Sequence, residues 1–216
     1  MKLRLPRFRL SNILWLMVCC SILLAWRADR LKLIDRYNQI LNPRPSWGTC
    51  QAEGPPDTPG SGDIATAWAS KTQDGQKEWL IADYGTPLTA QTIEVHETYN
   101  PGAVEKITGI DGLGMETILW QGVDPAPPGA GRSVSKFPIR TKKQFQKFKV
   151  YLDSPAVAGW NEIDAIGVKT TKGSKKWARK VTSSSSYGDT YGTTAMFPTG
   201  GQTTRTFRSL VPTGGG

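Results

Sequence analysis

The run Leu10–Trp26, LSNILWLMVCCSILLAW, contains no charged residue. As an α-helix it would be about 26 Å long, the short end of what crosses the hydrocarbon core of a bilayer. Lys2, Arg4, Arg7 and Arg9 precede it, and no acidic residue does. Basic flanks stay on the cytoplasmic side, so the N-terminus is expected inside and the rest of the chain outside. Trp15 and Trp26 are amphipathic aromatics, and Trp26 falls where an interfacial anchor would sit. Beyond it Arg27, Arg30, Lys32 and Arg36 are diluted by Asp29 and Asp35, which weakens the asymmetry without reversing it. A cleaved signal peptide is the alternative. It would need a small-x-small site, but Ala25 has Leu23 two residues before it and Ala28 has Trp26. The expectation is an uncleaved signal anchor in the cell membrane, single-pass. Residues 1–9 are then a basic cytoplasmic segment and 10–26 the transmembrane helix.

Residues 27–45 continue as a juxtamembrane helix or stalk, with Leu31, Ile34, Tyr37 and Leu41 at helical spacing. Pro43 and Pro45 stop it. Gly54 to Gly62 is a Pro/Gly-rich loop leading into the folded region. From Ile64 to Val168 the pattern is β. Thr92 to His96 alternates, with Ile93 and Val95 inward and Glu94 and His96 outward. Phe148, Val150 and Leu152 share one face of a strand whose other face holds Lys147, Lys149 and Tyr151. Trp160 to Val168 supplies a last strand, with Ile163, Ile166 and Val168 buried. The chain's 23 glycines and 15 prolines supply the turns such a fold needs. Short strands at this spacing, without helical repeats between them, predict an all-β sandwich over residues 46–170.

The net charge of +9 comes mainly from the N-terminus and from Lys169–Lys180. No helix-turn-helix, zinc or RNA-platform pattern accompanies it, so no nucleic-acid partner is expected. Lys142, Lys143, Lys147 and Lys149 are a solvated strand face. Cys19 and Cys20 lie in the apolar run and Cys50 is alone in the remainder, which excludes a disulfide within the sandwich. His96 is the only histidine, so there is no Cys/His zinc set and no partner for a Ser/His or Cys/His mechanism. No phosphate-binding, dinucleotide-binding or hydrolase motif is present. The expectation is a protein that is not an enzyme.

Thr66-x-Trp68-x-Ser70 is followed by Trp79-Leu80-x-x-Asp83-Tyr84-Gly85, and later by Asn161-Glu162-Ile163-Asp164-Ala165-Ile166. In order and spacing these resemble the T-x-W-x-S, Q-W-I-x-V-D-L-G and closing E-I motifs of discoidin, or coagulation factor 5/8 type C, domains. Glu78, Ala82 and Tyr84 depart from that pattern, and the paired terminal cysteines of many eukaryotic members are absent. The resemblance spans Cys50 to Thr170. It implies a galactose-binding-like jelly roll that binds sugars, lipid head groups or proteins through its loops. It also implies a structural Ca2+ site, carried over onto Asp63, Thr66 and Glu162. Calcium needs six to eight oxygens, so carbonyls of Gly60 to Ile64 would have to complete it. The other reading is that Asp63 caps a turn and Glu162 pairs with a lysine.

For a ligand, aromatics beside amides are what stack on and hydrogen-bond to a sugar ring. Tyr99-Asn100 and Trp160-Asn161 fit, with His96 or Arg132 beside them. Trp68 and Trp79 are both expected to serve the core. The segment 171–216 is basic and then low in complexity, and it is expected to be a disordered tail. The sequence therefore predicts a membrane-anchored, extracytoplasmic module that recognises carbohydrate or another surface ligand. The competing expectation is a structural or assembly protein whose sandwich docks a protein partner.

Overall fold

The computed structural model of the protein describes residues 10–41, 44–129 and 131–188. One helix, α1 (Leu10–Leu41), precedes the strands. It runs unbroken through Trp26, so the expected anchor and juxtamembrane helices are one element, ending ahead of Pro43 and Pro45. Its described side chains from Trp15 to Ile34 are all exposed. Among the described residues no helix is long and apolar enough to cross a membrane. The side chains of residues 10–14 lie outside that description, and Arg27, Asp29, Arg30 and Lys32 follow Trp26 within the helix.

The remainder is a sandwich of two antiparallel sheets, as expected. One contains β1 (Trp68–Ala69), β3 (Ala90–Tyr99), β6 (Ser133–Pro138), β8 (Glu162–Thr170) and β9 (Lys175–Trp177). Its order is β1-β8-β3-β6, with β9 also on β8. The other holds β2 (Glu78–Leu88), β4 (Val104–Ile110), β5 (Glu116–Gln121), β7 (Phe145–Leu152) and β10 (Lys180–Ser183), ordered β10-β2-β7-β4-β5. A two-residue period explains the core. Leu80, Ala82 and Tyr84 of β2, Ile93 and Val95 of β3, and Phe148, Val150 and Leu152 of β7 are all buried between the sheets. In β8 the period breaks. Ile163 pairs with Glu97 but Ala165 with His96, so Asp164 is an extra residue in the ladder. That bulge lets Ile163 and Ile166 both reach the core.

Three expectations change. Trp68 is in the core at 1% exposure, but Trp79 sits on the opposite face of β2, half-buried beneath Lys149, 4.8 Å from its ring centre. The place expected for it is taken by Glu78, which is buried and accepts hydrogen bonds from Ser184 and Ser185. Glu94 and His96 do face away from the core, but they are covered rather than solvated. β9 lays Trp177 against His96, ring centres 5.3 Å apart, and Lys175 Nζ reaches Glu94 Oε2 at 2.5 Å. Finally, the sandwich does not end at 170. Residues 171–188 contain β9 and β10, with Ala178 and Val181 buried. Trp68 donates its indole N–H to the Ser185 carbonyl at 3.0 Å. These residues are ordered because they pair with β8 and β2, which no local pattern of theirs reveals. The expected tail of 189–216 and the basic segment of 1–9 lie outside the described residues.

Candidate functional site

The chain enters the sandwich through Trp47 and leaves it through Tyr187, side by side. Trp47 donates its backbone N–H to Ala65 O at 2.9 Å. Its carbonyl accepts from Ala69 N, Gly188 N and Ser186 Oγ. These bonds hold Trp47 in the left-handed region, φ 53°, which is uncommon for so bulky a residue. Tyr187 hydrogen-bonds to Ala69 O through its own N–H at 3.0 Å. Its ring stands nearly perpendicular to Trp47, centres 5.7 Å apart, and to Trp160, centres 6.2 Å apart. With Asp63, Ala69 and Glu162, these three rings line an open cleft of about 100 Å³.

Trp160 is positioned by the loop ahead of β8. Asn100, at φ 43°, donates to the Trp160 carbonyl at 3.2 Å. Asn161 donates to Asn100 O at 2.7 Å and accepts from Ser154 Oγ at 2.7 Å. Asp74 receives the N–H of Gly159. On the other wall, Arg132 bonds the carbonyls of Thr58 and Gly60, each at 3.1 Å, and faces Asp164 at 3.6 Å. Asp164 in turn accepts from Thr58 Oγ1 at 2.8 Å. The Pro/Gly loop that carries Asp63 is therefore clamped to β8.

The electrostatics of the cleft are one-sided. Among the described residues no Lys or Arg lines it. Asp63 is exposed, whereas Glu162 is 1% exposed and accepts from Ile64 N at 3.2 Å and Thr98 Oγ1 at 3.4 Å. Burial, with the Asp63 carboxyl beside it, pushes Glu162 up to about 8 against the pull of the Ile64 N–H. At neutral pH Glu162 thus mostly holds a proton. The indole nitrogens of Trp47 and Trp160 are covered and have no hydrogen-bond partner.

The sequence-designated ligand residues separate. Trp160 lines the cleft; Asn100 and Asn161 sit behind it, engaged in the hydrogen bonds that hold its loop; Tyr99 is half-buried and is not among the lining residues. Of the designated calcium ligands, Asp63 and Glu162 meet. Thr66 does not join them; its hydroxyl donates to Thr58 Oγ1 at 3.0 Å, on the Asp164 side. Of the three, Asp63 and Glu162 therefore share the cleft, and the Ile64 N–H points at Glu162. Among the described residues no group of three His, Cys, Asp or Glu is placed to hold a metal. His96 lies under Trp177 and Arg132 serves the loop clamp, so neither joins the cleft. Trp47 and Tyr187 were not foreseen. One precedes the strands, the other belongs to the expected tail, and only their proximity in space makes them a wall.

A second carboxylate group is closed off. Ser135 Oγ is 2.7 Å from Glu97 Oε2 and 2.6 Å from Asp124 Oδ1, with all three residues buried. Ser135 has a single hydroxyl proton. A protonated Glu97 donating to Ser135, which donates to Asp124, satisfies the group. Burial first, then the Asp124 charge, push Glu97 up to about 8, in keeping with that proton. Asp124 also accepts from Val104 N and Ala126 N, so the group ties the loop after β5 to the sheets.

No protein-family model matches this chain, and no curated protein matches it.

Proposed function

We propose that this protein is a membrane-anchored, extracytoplasmic binding module that recognises carbohydrate through the cleft at Trp47, Trp160 and Tyr187, without catalysis. The observation that carries the reading is the cleft itself: three aromatic rings beside two carboxylates, held by a clamped loop at one end of a rigid sandwich. Flat aromatic faces pack on the C–H face of a sugar, and carboxylates accept from its hydroxyls. The discoidin-like motifs agree with a galactose-binding-like jelly roll of this kind. His96 argues against acid–base work, since it is packed under Trp177 and faces Glu94 and Lys175. Anchoring rests on the uncharged run Leu10–Trp26 and its basic prefix. Ser21 returns its hydroxyl to Met17 O at 2.8 Å, so that polar side chain is satisfied within the helix.

The test is a glycan array probed with the full chain in detergent micelles, beside the Trp160→Ala variant. Signal that depends on Trp160 is expected, and silence across the array at high protein concentration removes the carbohydrate reading. A second reading, docking of a protein partner, has its own observation. The edge strand β5 and its flanks expose Leu113 (91%), Met115, Ile118 and Val123 (92%). Exposed apolar edges invite strand or surface pairing. A partner captured by the full chain and lost on Ile118→Lys, with the array silent, selects that reading.

A further inference from the structure

We propose that the cleft selects a protonated primary amine carried on a sugar ring, so that its ligand is an amino sugar with a free amine. This rests on the carbohydrate reading and narrows it. Among the described residues the lining is three aromatic rings and two carboxyl groups, without a basic side chain, which suits a positively charged group. Aromatic faces attract cations placed within about 6 Å of the ring centre. Tyr187 stands edge-to-face with both tryptophans, so the rings form a corner rather than one flat platform. A corner suits a compact charged group beside a sugar ring better than a sugar face alone.

The carboxylates decide the kind of cation. A primary ammonium has three N–H donors for Asp63 and Glu162, whereas a quaternary ammonium has none and would strip water from both without replacing its hydrogen bonds. A neutral hydroxyl makes bonds roughly half as strong as a charged donor does. An N-acetylated amine has lost its charge and two of its donors.

Trp47 is held at φ 53° by its backbone hydrogen bonds, which fixes its ring at the corner. No covalent bond changes on binding.

Titration calorimetry of the full chain in micelles at pH 6.5 tests this with three tetramers: β-1,4-glucosamine, its fully N-acetylated counterpart, and cellotetraose. The free-amine tetramer should bind about tenfold or more tightly than either neutral one, as a charge-assisted bond implies. Asp63→Asn, at an exposed position, should erase the preference without moving the melting temperature. Equal binding of the three tetramers overturns the inference and leaves the carbohydrate reading standing, as does a preference that survives Asp63→Asn. If none of the three binds while the array reports another neutral glycan, the inference alone falls; with the array silent too, both fall.

Discussion

The indole of Trp177 lies against Gly167, its Cζ3 2.7 Å from where a Cβ on that glycine would stand. No larger residue fits beneath the ring. Gly167→Ala should lift Trp177 from the sheet and cost about 1–3 kcal/mol, the usual range for overpacking. Uncovering His96 should also relieve the burial that, with Lys175 beside it, holds its pKa below the ordinary value. Denaturant melts and an NMR titration of His96 check both effects. A variant as stable as wild type with an unmoved His96 would mean that Trp177 is not packed there.

Glu97 and Glu162 make stability fall with rising pH. Each carboxyl sits at about 8 when folded, against an ordinary 4.5. The folded chain therefore holds protons that the unfolded chain has released. The contribution is complete below about 4.5, declines between there and 8, and is lost above that. Within the window each group costs up to ~1.4 kcal/mol per pH unit. Glu97→Gln can donate to Ser135 and accept from Gly102 without titrating, so it should flatten part of the slope and be more stable than wild type at pH 8. Urea melts at pH 5 and pH 8 measure this; a Gln variant weaker than wild type at pH 8 would show that Glu97 is ionised in the fold.

A chain ended at Thr170, the boundary the sequence suggests, should not fold cooperatively. It loses β9 and β10, the buried Ala178 and Val181, the serines that satisfy buried Glu78, and the acceptor for Trp68. A chain ended at Gly188 keeps each of these and should melt cooperatively. Circular dichroism melts of the two shortened chains decide it, and a sharp transition in the shorter one would count β9 and β10 as accessory.

Millimolar calcium and EDTA should give the same melting temperature to within ~1 °C. Binding at a hundred times Kd would stabilise by about 2.7 kcal/mol, which a melt resolves easily. Thr66 is turned toward Thr58, and the Ile64 N–H occupies Glu162 where an ion would have to sit. A calcium-dependent rise would mean that the loop 60–64 rearranges around the ion.

Much of the core was readable, because alternation is a local signal: Phe148, Val150 and Leu152 face inward as their spacing says. The bulge at Asp164 and the burial of Glu78 were not. A buried carboxylate is tolerated only through partners distant in the chain, here Ser184 and Ser185. The covering of Glu94 and His96 depends on β9, whose Lys175-Lys176-Trp177 reads as a solvated basic stretch. Of the cleft, Trp160 could be singled out by the amide beside it, and Asp63 and Glu162 only through the family resemblance, as ion ligands. Trp47 and Tyr187 could not, since their role exists only where the two ends of the domain meet.

That meeting has a consequence for reach. Gly188 donates its N–H to the Trp47 carbonyl at 3.4 Å, so the sandwich begins and ends at one point. Whatever follows Gly188 starts beside the segment that leads back to the helix. The domain therefore adds no distance between the two: it hangs as a side loop on the polypeptide, not as a spacer within it.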